Sequence, residues 1–153
     1  MLCGLRRPCD FEPVTLLRFS IQPNMRVSLT SIPVEDPIAA HRVYTELFGF
    51  KSERFEPEAE LAVVTASDGG ASTSLLLEPM GAEFVRDFQK KVYDSGLPII
   101  VFGVDDLPAE VERLKQAGLI FREDLANPDW EMENLFEDSC GNIVMLQANE
   151  KAS

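Results

Sequence analysis

The chain repeats one pattern of residues at an interval of about 70 positions, and this repeat restricts the folds open to it. Asp36 and Asp106, each followed within two residues by a proline, are 70 positions apart. Two further pairs keep nearly the same interval: Gly49 and Gly118 (69), and Asp68 and Asp138 (70). A chain built twice from one unit indicates two similar halves with a cleft between them.

Composition and charge exclude several classes of protein. A chain of 153 residues suits one domain, or two small modules that share a core. The net charge of -12 disfavours nucleic acid and anionic membrane surfaces, because both attract clustered Lys and Arg. No apolar run approaches the roughly 20 residues that span a bilayer. We therefore expect a soluble, cytoplasmic protein with neither a nucleic-acid nor a membrane partner.

The cysteines and the single histidine offer no obvious reactive centre. Cys3, Cys9 and Cys140 are odd in number and form no CxxC pair, which excludes a disulfide framework and a zinc knuckle. Cys140 falls in a predicted tight turn, either as an exposed thiol or as a tolerated small residue. A nucleophilic cysteine needs a nearby imidazole. His41 lies off the apolar stripe of its helix and is interpreted as a solvated surface residue.

The two ends of the chain differ from the segment between them. Residues 1–25 contain three prolines, show no sustained periodicity and lack the apolar segment of a secretory signal. Asp10 and Glu12 argue against a mitochondrial presequence, and Met25 is an alternative start of translation. We expect residues 1–25 to be an arm that is disordered or not native. Residues 149–153 are expected to be a tail outside a single domain over residues 26–148.

The first module is predicted over residues 26–79. A β-branched strand over residues 27–34 is followed by Asp36 as helix N-cap and Pro37 as the first helical residue. Gly49 ends the helix. Apolar residues recur on one face of that helix: Ala40, Val43, Tyr44, Leu47 and Phe48. Strands over residues 51–55, 60–66 and 72–78 complete a βαβββ unit, with Asp68-Gly69-Gly70 as one of its turns.

The second module, over residues 97–147, repeats this order after a helical linker at residues 80–96. A strand over residues 98–104 precedes a helix that Asp106 caps. Three further strands are expected near residues 120–123, 132–136 and 142–147.

Three segments of the sequence resemble the vicinal oxygen chelate superfamily, which includes glyoxalase I, bleomycin-resistance proteins and extradiol dioxygenases. They are VEDPIAAHRVYTELFGF (34–50), VDDLPAEVERLKQAG (104–118) and WEMENLFEDSCGNIVMLQ (130–147). The last is similar to the family's C-terminal signature, with Ser139 where proline is usual. The resemblance implies an α+β fold in which two βαβββ modules form curved mixed sheets that enclose a cleft.

In metal-dependent members of this family, the cleft holds a divalent cation on ligands from the first and last strand of each module. Transferring those positions to this sequence selects Leu29, Leu75, Ile99 and Met145, in pairs separated by 70. Leu and Ile carry no donor atom, and a thioether is a poor ligand for Mg, Mn, Fe(II) or Zn. Glu78 is close by, but strand alternation turns it away from Leu75. We predict no metal site and no cofactor.

The apolar positions either fill the cleft as core or line a pocket for a small organic molecule. Trp130 could stack on a ligand or cover one end of a sheet. Glu131 and Glu133 have the parity opposite to that of Trp130 and Met132, so we expect one pair to face the cleft and the other to face away. The predicted pocket consists of Leu29, Ser31, Thr73, Leu75, Ile99, Val101, Trp130 and Met145.

Three functions remain open at this point. The first is a metal-free protein that binds a hydrophobic or cationic small molecule. The second is a lyase, isomerase or dioxygenase of the same family with a non-standard or absent metal site, for which no catalytic residue can be assigned. The third is a protein with a closed cleft that binds a macromolecular partner. Related short proteins pair modules between chains, so we also expect a homodimer.

Overall fold

The computed structural model describes residues 25–66 and 73–149. The predicted arm, apart from Met25, the Asp68-Gly69-Gly70 turn and residues 150–153 lie outside the described residues. The first half contains β1 (Leu29–Val34), α1 (Pro37–Arg42), a π-helical turn (Val43–Leu47), β2 (Lys51–Glu56), β3 (Leu61–Thr65) and β4 (Ser74–Pro79). The second half contains α2 (Glu83–Asp94), β5 (Ile100–Val104), α3 (Leu107–Gln116), β6 (Leu135–Glu137) and β7 (Ile143–Ala148).

The strands form two mixed sheets, which confirms the predicted α+β fold. The first sheet has the order β1-β4-β3-β2, and the second has the order β5-β7-β6. In each sheet the first strand runs parallel to the last strand of the same half. The segment between the paired strands contains a helix and one or more further strands, which provides the crossover connection that parallel neighbours need.

The repeated aspartates begin the helices as predicted. Asp36 Oδ1 accepts hydrogen bonds from the backbone N–H of Ile38 and of Ala39, at 2.8 and 3.1 Å. Asp106 Oδ1 accepts one from the Ala109 N–H at 3.1 Å. These carboxylates satisfy N–H groups that have no partner within the first helical turn.

The second half has fewer regular strands than the sequence suggests. The predicted strand at residues 120–123 contributes a single bridge, between Phe121 and Phe136. Residues 132–136 are also not a continuous strand, because Asn134 has a left-handed backbone with φ of 52°. A 3₁₀ turn at Pro128–Trp130 precedes them. The alternation expected between Trp130 and Glu131 was therefore wrong, since it requires an extended backbone.

The two sheets share a continuous core. One cluster of buried residues lies between the first sheet and α1, and a second lies between the second sheet and α3. Phe48, Ile100 and Phe102 pack against both clusters. The Phe48 ring lies edge-on to Phe136, with their centroids 5.7 Å apart. The first helical segment, which consists of α1 and the π-helical turn, thus connects the two halves through Phe48 at its end.

The strand register of the first sheet differs from the one that the sequence predicts. Leu75 pairs with Thr30 and with Val64, whereas Leu29 pairs with Ser74. Directly paired residues share a face of a sheet, so Leu29 and Leu75 lie on opposite faces. Leu75 is 3% exposed and belongs to the core under α1. The expectation that these two leucines face one cleft was wrong.

In the second sheet, Val101 pairs with Met145, and the Ile99 N–H donates to the Ile143 carbonyl. Both pairs lie on the face directed away from α3. Structurally, Leu29 and Ser74 therefore correspond to Ile99 and Ile143. The repeat interval is 70 residues at the first strand of each half and 69 at the last, and this difference of one residue reverses the face.

Candidate ligand-binding site

A cavity of about 530 Å³ lies where the two sheets meet on the side of the helices. Its wall includes the rings of Phe48, Phe50 and Phe102, and Phe136, which is 1% exposed, packs against Phe48 at this wall. Its polar lining residues are Thr30, Thr73, Asp105, Glu110 and Asn149. A hollow of this size that combines apolar walls with a few polar groups is typical of sites for small organic molecules.

The aromatic wall depends on the turn that follows the first helical segment. Gly49 has a φ of 76°, a left-handed conformation that a residue without Cβ adopts readily. The turn places Phe48 and Phe50 on either side of it, and the Phe50 N–H donates to the Tyr44 carbonyl at 3.0 Å. The Phe50 and Phe102 ring centroids are 5.2 Å apart. One wall of the cavity is therefore fixed by packing between the two halves.

Asn149 holds the polar rim of the cavity in place. Its backbone N–H donates to the Val104 carbonyl at 2.8 Å, and its Nδ2 donates to Asp105 Oδ1 at 2.9 Å. A Cβ at Gly103 would lie 2.0 Å from Asn149 Oδ1, so the glycine provides the space that this side chain occupies. The last described residue of the chain thus forms part of the cavity.

Glu110, also at the rim, forms an ion pair within α3. The Arg113 guanidinium donates to both Glu110 carboxylate oxygens, at 2.9 and 2.6 Å. The hydrogen bonds from Arg113 hold the pKa of Glu110 below its usual value, although partial burial opposes the shift. Arg113 also donates to the Leu47 carbonyl at 2.9 Å, which ties α3 to the end of the first helical segment.

The structure places Thr73 and Leu75 on this cavity, and Val101 of the edge strand β5 also borders it, although its pair with Met145 lies on the face directed away from α3. The Thr73 hydroxyl donates to the Val27 carbonyl at 2.8 Å. Trp130 is 68% exposed in its 3₁₀ turn. The remaining predicted residues lie on the sheet faces directed away from α1 and α3: Leu29, Ser31, Ile99 and Met145. Their part in ligand binding stays a prediction.

The donor atoms do not fit the divalent cation that the resemblance implies. Leu29, Ile99 and Met145 remain apolar positions on the faces directed away from the helices. Glu78 alternates with Leu77 and so turns away from the buried face, as expected. Within residues 25–66 and 73–149, no three His, Cys, Asp or Glu side chains are grouped so that they could hold a metal ion.

Apart from the cavity, a buried cluster of hydrogen-bonded side chains around Asp138 connects the two halves. Asp138 is 0% exposed and accepts a hydrogen bond from the Tyr44 hydroxyl at 3.0 Å. Asn142 bonds to Asp138, to the Pro33 carbonyl and to the Gln89 side chain. Burial, followed by the charge of Asp138, raises the pKa of Tyr44 well above its usual value. This phenol therefore stays protonated and acts as a hydrogen-bond donor.

Cys140 is a buried turn residue rather than an exposed thiol, and His41 is partly buried. Cys140 is 5% exposed, and burial raises the pKa of its thiol to about 12, which makes it a poor nucleophile. The His41 ring stacks on Phe55 at 3.9 Å, and its Nε2 lies 2.8 Å from Ser52 Oγ. Partial burial lowers the pKa of His41. It is a packed histidine rather than a freely solvated one.

Several cavity residues were not identified from the sequence. Phe48 was assigned only to the apolar face of a helix, and Phe50 had no role. Asp105 precedes the helix cap Asp106, and only the cap has a clear sequence signal. Asn149 was assigned to the tail. No local pattern indicates Asn149, because its position depends on the space left by Gly103 in a strand far along the chain.

Comparison with known proteins identifies the family. The model of the Glyoxalase/Bleomycin resistance protein/Dioxygenase superfamily matches residues 26–146. The chain belongs to this superfamily. The uncharacterized protein YurT of Bacillus subtilis (strain 168) is 34% identical over 124 residues, which cover 80% of this chain and 98% of YurT.

Two solved structures of similar proteins show the same fold. UcmS2 is 26% identical, with a TM-score of 0.62 over 81% of this chain and 98% of its own. TnmS3, an antibiotic binding protein from Streptomyces sp. CB03234, is 23% identical, with a TM-score of 0.58 over 84% of this chain and 99% of its own.

Among the described residues of this superfamily member, no helix has the length and apolar character needed to cross a membrane.

Proposed function

We propose that this superfamily member binds a small organic molecule in the cavity between its sheets, without a metal ion. The observation that carries the proposal is the hollow of about 530 Å³ walled by Phe48, Phe50 and Phe102. Such a wall favours a ligand with substantial apolar surface, because each Å² removed from water contributes roughly 25 cal/mol. The few polar groups at the rim would fix the orientation of that ligand.

Two further observations support binding rather than metal-dependent catalysis. TnmS3, which shares the fold, is an antibiotic binding protein. In the present chain, the positions that carry metal ligands in related enzymes are apolar, and the cavity contains no imidazole among its lining residues. Glu110, one of its two carboxylates, is engaged by Arg113. A role in binding small molecules requires none of the missing groups.

A thermal-shift screen of drugs and small organic acids, followed by calorimetry, tests this function. A ligand present at 100 times its dissociation constant should stabilise the protein by about 2.7 kcal/mol, with or without EDTA. Thr30→Trp should abolish the binding of such a ligand, because Thr30 lines the cavity. Ser31→Trp is the matched control, since Ser31 is also exposed but points to the opposite face of β1.

Three results would contradict the proposal. Binding lost in Ser31→Trp and kept in Thr30→Trp would move the site to the face that carries Leu29. Stoichiometric uptake of Ni, Zn or Fe(II) with an effect on ligand affinity would overturn the metal-free mode. A screen in which no compound class stabilises the protein would favour a closed cavity.

The homodimer and the cytoplasmic location are part of this proposal as predictions. Light scattering after size exclusion should give about twice the 17.1 kDa chain mass, and a monomeric mass would reject the dimer.

A further inference from the structure

We infer that the cavity takes an organic cation and that Asp105 provides its counter-charge, an inference that rests on the proposed binding function. Two carboxylates lie on the rim, those of Asp105 and Glu110, and a third, that of Asp106, follows Asp105 in sequence. The three differ in how far their charge is already balanced. That difference selects one of them as the group that can receive a positively charged ligand.

Glu110 and Asp106 are already engaged. Glu110 has both carboxylate oxygens bonded to the Arg113 guanidinium, so its charge is balanced within α3. Asp106 caps the amino end of α3, where its negative charge offsets the positive end of the helix dipole. Glu110 could not turn toward a ligand without breaking its ion pair, and Asp106 is not among the residues that line the cavity.

The Asp105 carboxylate still has most of its hydrogen-bond acceptor sites unused. Within the described part of the chain, its carboxylate accepts one side-chain hydrogen bond, from Asn149 Nδ2 to Oδ1, and it takes part in no ion pair. A carboxylate offers about four acceptor sites, so Oδ2 is available to an ammonium or amidinium group. The bond from Asn149 also holds the group at the rim, which lowers the entropy cost of pairing.

The rest of the cavity is compatible with a cation that has an apolar body. The faces of aromatic rings attract cations, and Phe48, Phe50 and Phe102 line the site. The net charge of -12 raises the local concentration of cations and opposes anions. A charged head at the exposed rim keeps part of its hydration while the apolar body enters the hollow. This arrangement favours an amphipathic amine over a neutral or acidic compound.

Three probes of nearly equal shape test the inference by calorimetry on the full chain at pH 7. They are 4-phenylbenzylammonium, 4-phenylbenzyl alcohol and 4-phenylbenzoate. We expect the ammonium compound to bind at least about tenfold more tightly than the alcohol, and the benzoate to bind most weakly. The preference for the ammonium compound should fall as salt is added, because the charge pair lies at an exposed rim.

Asp105→Asn should reduce the preference for the cation to within about threefold. The asparagine keeps an oxygen that can accept from Asn149, so the rim is retained while the charge is lost. Asp87→Asn is the matched control, because Asp87 is exposed on α2 away from the cavity and its replacement changes the net charge equally. The control should bind all three probes as the unmodified protein does.

The outcomes separate this inference from the proposed function. Equal affinity for the three probes, or a preference that Asp105→Asn leaves intact, would overturn the cation while binding in the cavity stands. The cation would also be overturned if none of the three probes bound while other compounds stabilised the protein. Thr30→Trp should then abolish the stabilisation by those compounds, and binding in the cavity would stand. Only the absence of any ligand that Thr30→Trp displaces would overturn the binding function itself.

Discussion

At the scale of single residues, the most constrained group is the buried carboxylate of Asp138. It accepts from the Tyr44 hydroxyl, from the Cys140 and Asn142 backbone N–H groups, and from Asn142 Nδ2, all within 2.8 to 3.0 Å. A buried charge is tolerated only when such donors replace the water it has lost. Tyr44 and Asp138 are 94 positions apart, so this bond fastens one half of the molecule to the other.

Removing one of these donors should be costly. Tyr44→Phe is expected to lower the free energy of unfolding by about 2 kcal/mol, because hydrogen bonds to buried charged groups contribute roughly 1.5–3 kcal/mol. Urea denaturation followed by circular dichroism measures the change. Tyr93→Phe removes the same atom from a half-buried bond to Glu137, which keeps its bond from Arg122. We expect this control to lose less than about 1 kcal/mol, and equal losses would contradict the role given to Asp138.

At the scale of elements, the sequence was sufficient wherever a local signal determines the structure. The caps Asp36 and Asp106 lie where the pattern predicts them, since each satisfies N–H groups within its own turn. The face of β4 was predicted wrongly, because register depends on pairing with another strand. An interval of 70, as between the helix caps, misassigns Leu75, because the last strands of the two halves, β4 and β7, are related by an interval of 69.

The same limit explains why the cavity was only partly predicted. Thr73, Leu75 and Val101 were among the predicted pocket residues, and the structure places them on its wall. Phe50 and Asn149 reach the cavity through contacts with residues far away in sequence, the Phe102 ring and the space over Gly103. No pattern along the chain encodes such contacts.

A pair of neighbouring substitutions tests the register of β4. Leu75→Ala should lower the free energy of unfolding by about 2–5 kcal/mol, because Leu75 is 3% exposed in the core beneath α1. Leu76→Ala should cost about 1 kcal/mol or less, because Leu76 is half-buried on the opposite face. Urea titrations of the two variants give the comparison. The reverse order of costs would show that the strand pairs one residue out of the register described.

At the scale of the whole molecule, the two repeated halves share one core, which predicts that they fold as a single unit. Their cores meet at Phe48, Ile100 and Phe102, which pack against both buried clusters. Gln89 of α2 adds a bond to the Pro33 carbonyl of β1 at 2.9 Å and another to Asn142 in the second half at 3.0 Å. Each half alone would therefore expose core residues that the other half buries.

A fragment containing residues 25–96 should accordingly not fold alone. We expect it to lack a cooperative thermal transition and to show poor dispersion of amide signals in NMR spectra, because it would expose the aromatic residues that pack against the second half. Adding a fragment of residues 97–153 should restore a cooperative transition. A sharp transition in the first fragment by itself would show that the halves are independent domains.

The exposure of Trp130 determines how this protein can be studied by fluorescence. The chain contains one tryptophan, and the indole is 68% exposed in a turn that contributes nothing to the cavity lining. Its emission should already be close to that of an indole in water, so ligand entry would leave it almost unchanged. Moving the fluorophore, with Phe50→Trp in a Trp130→Phe background, would place it in the aromatic wall. Quenching by a bound molecule would then report occupancy directly.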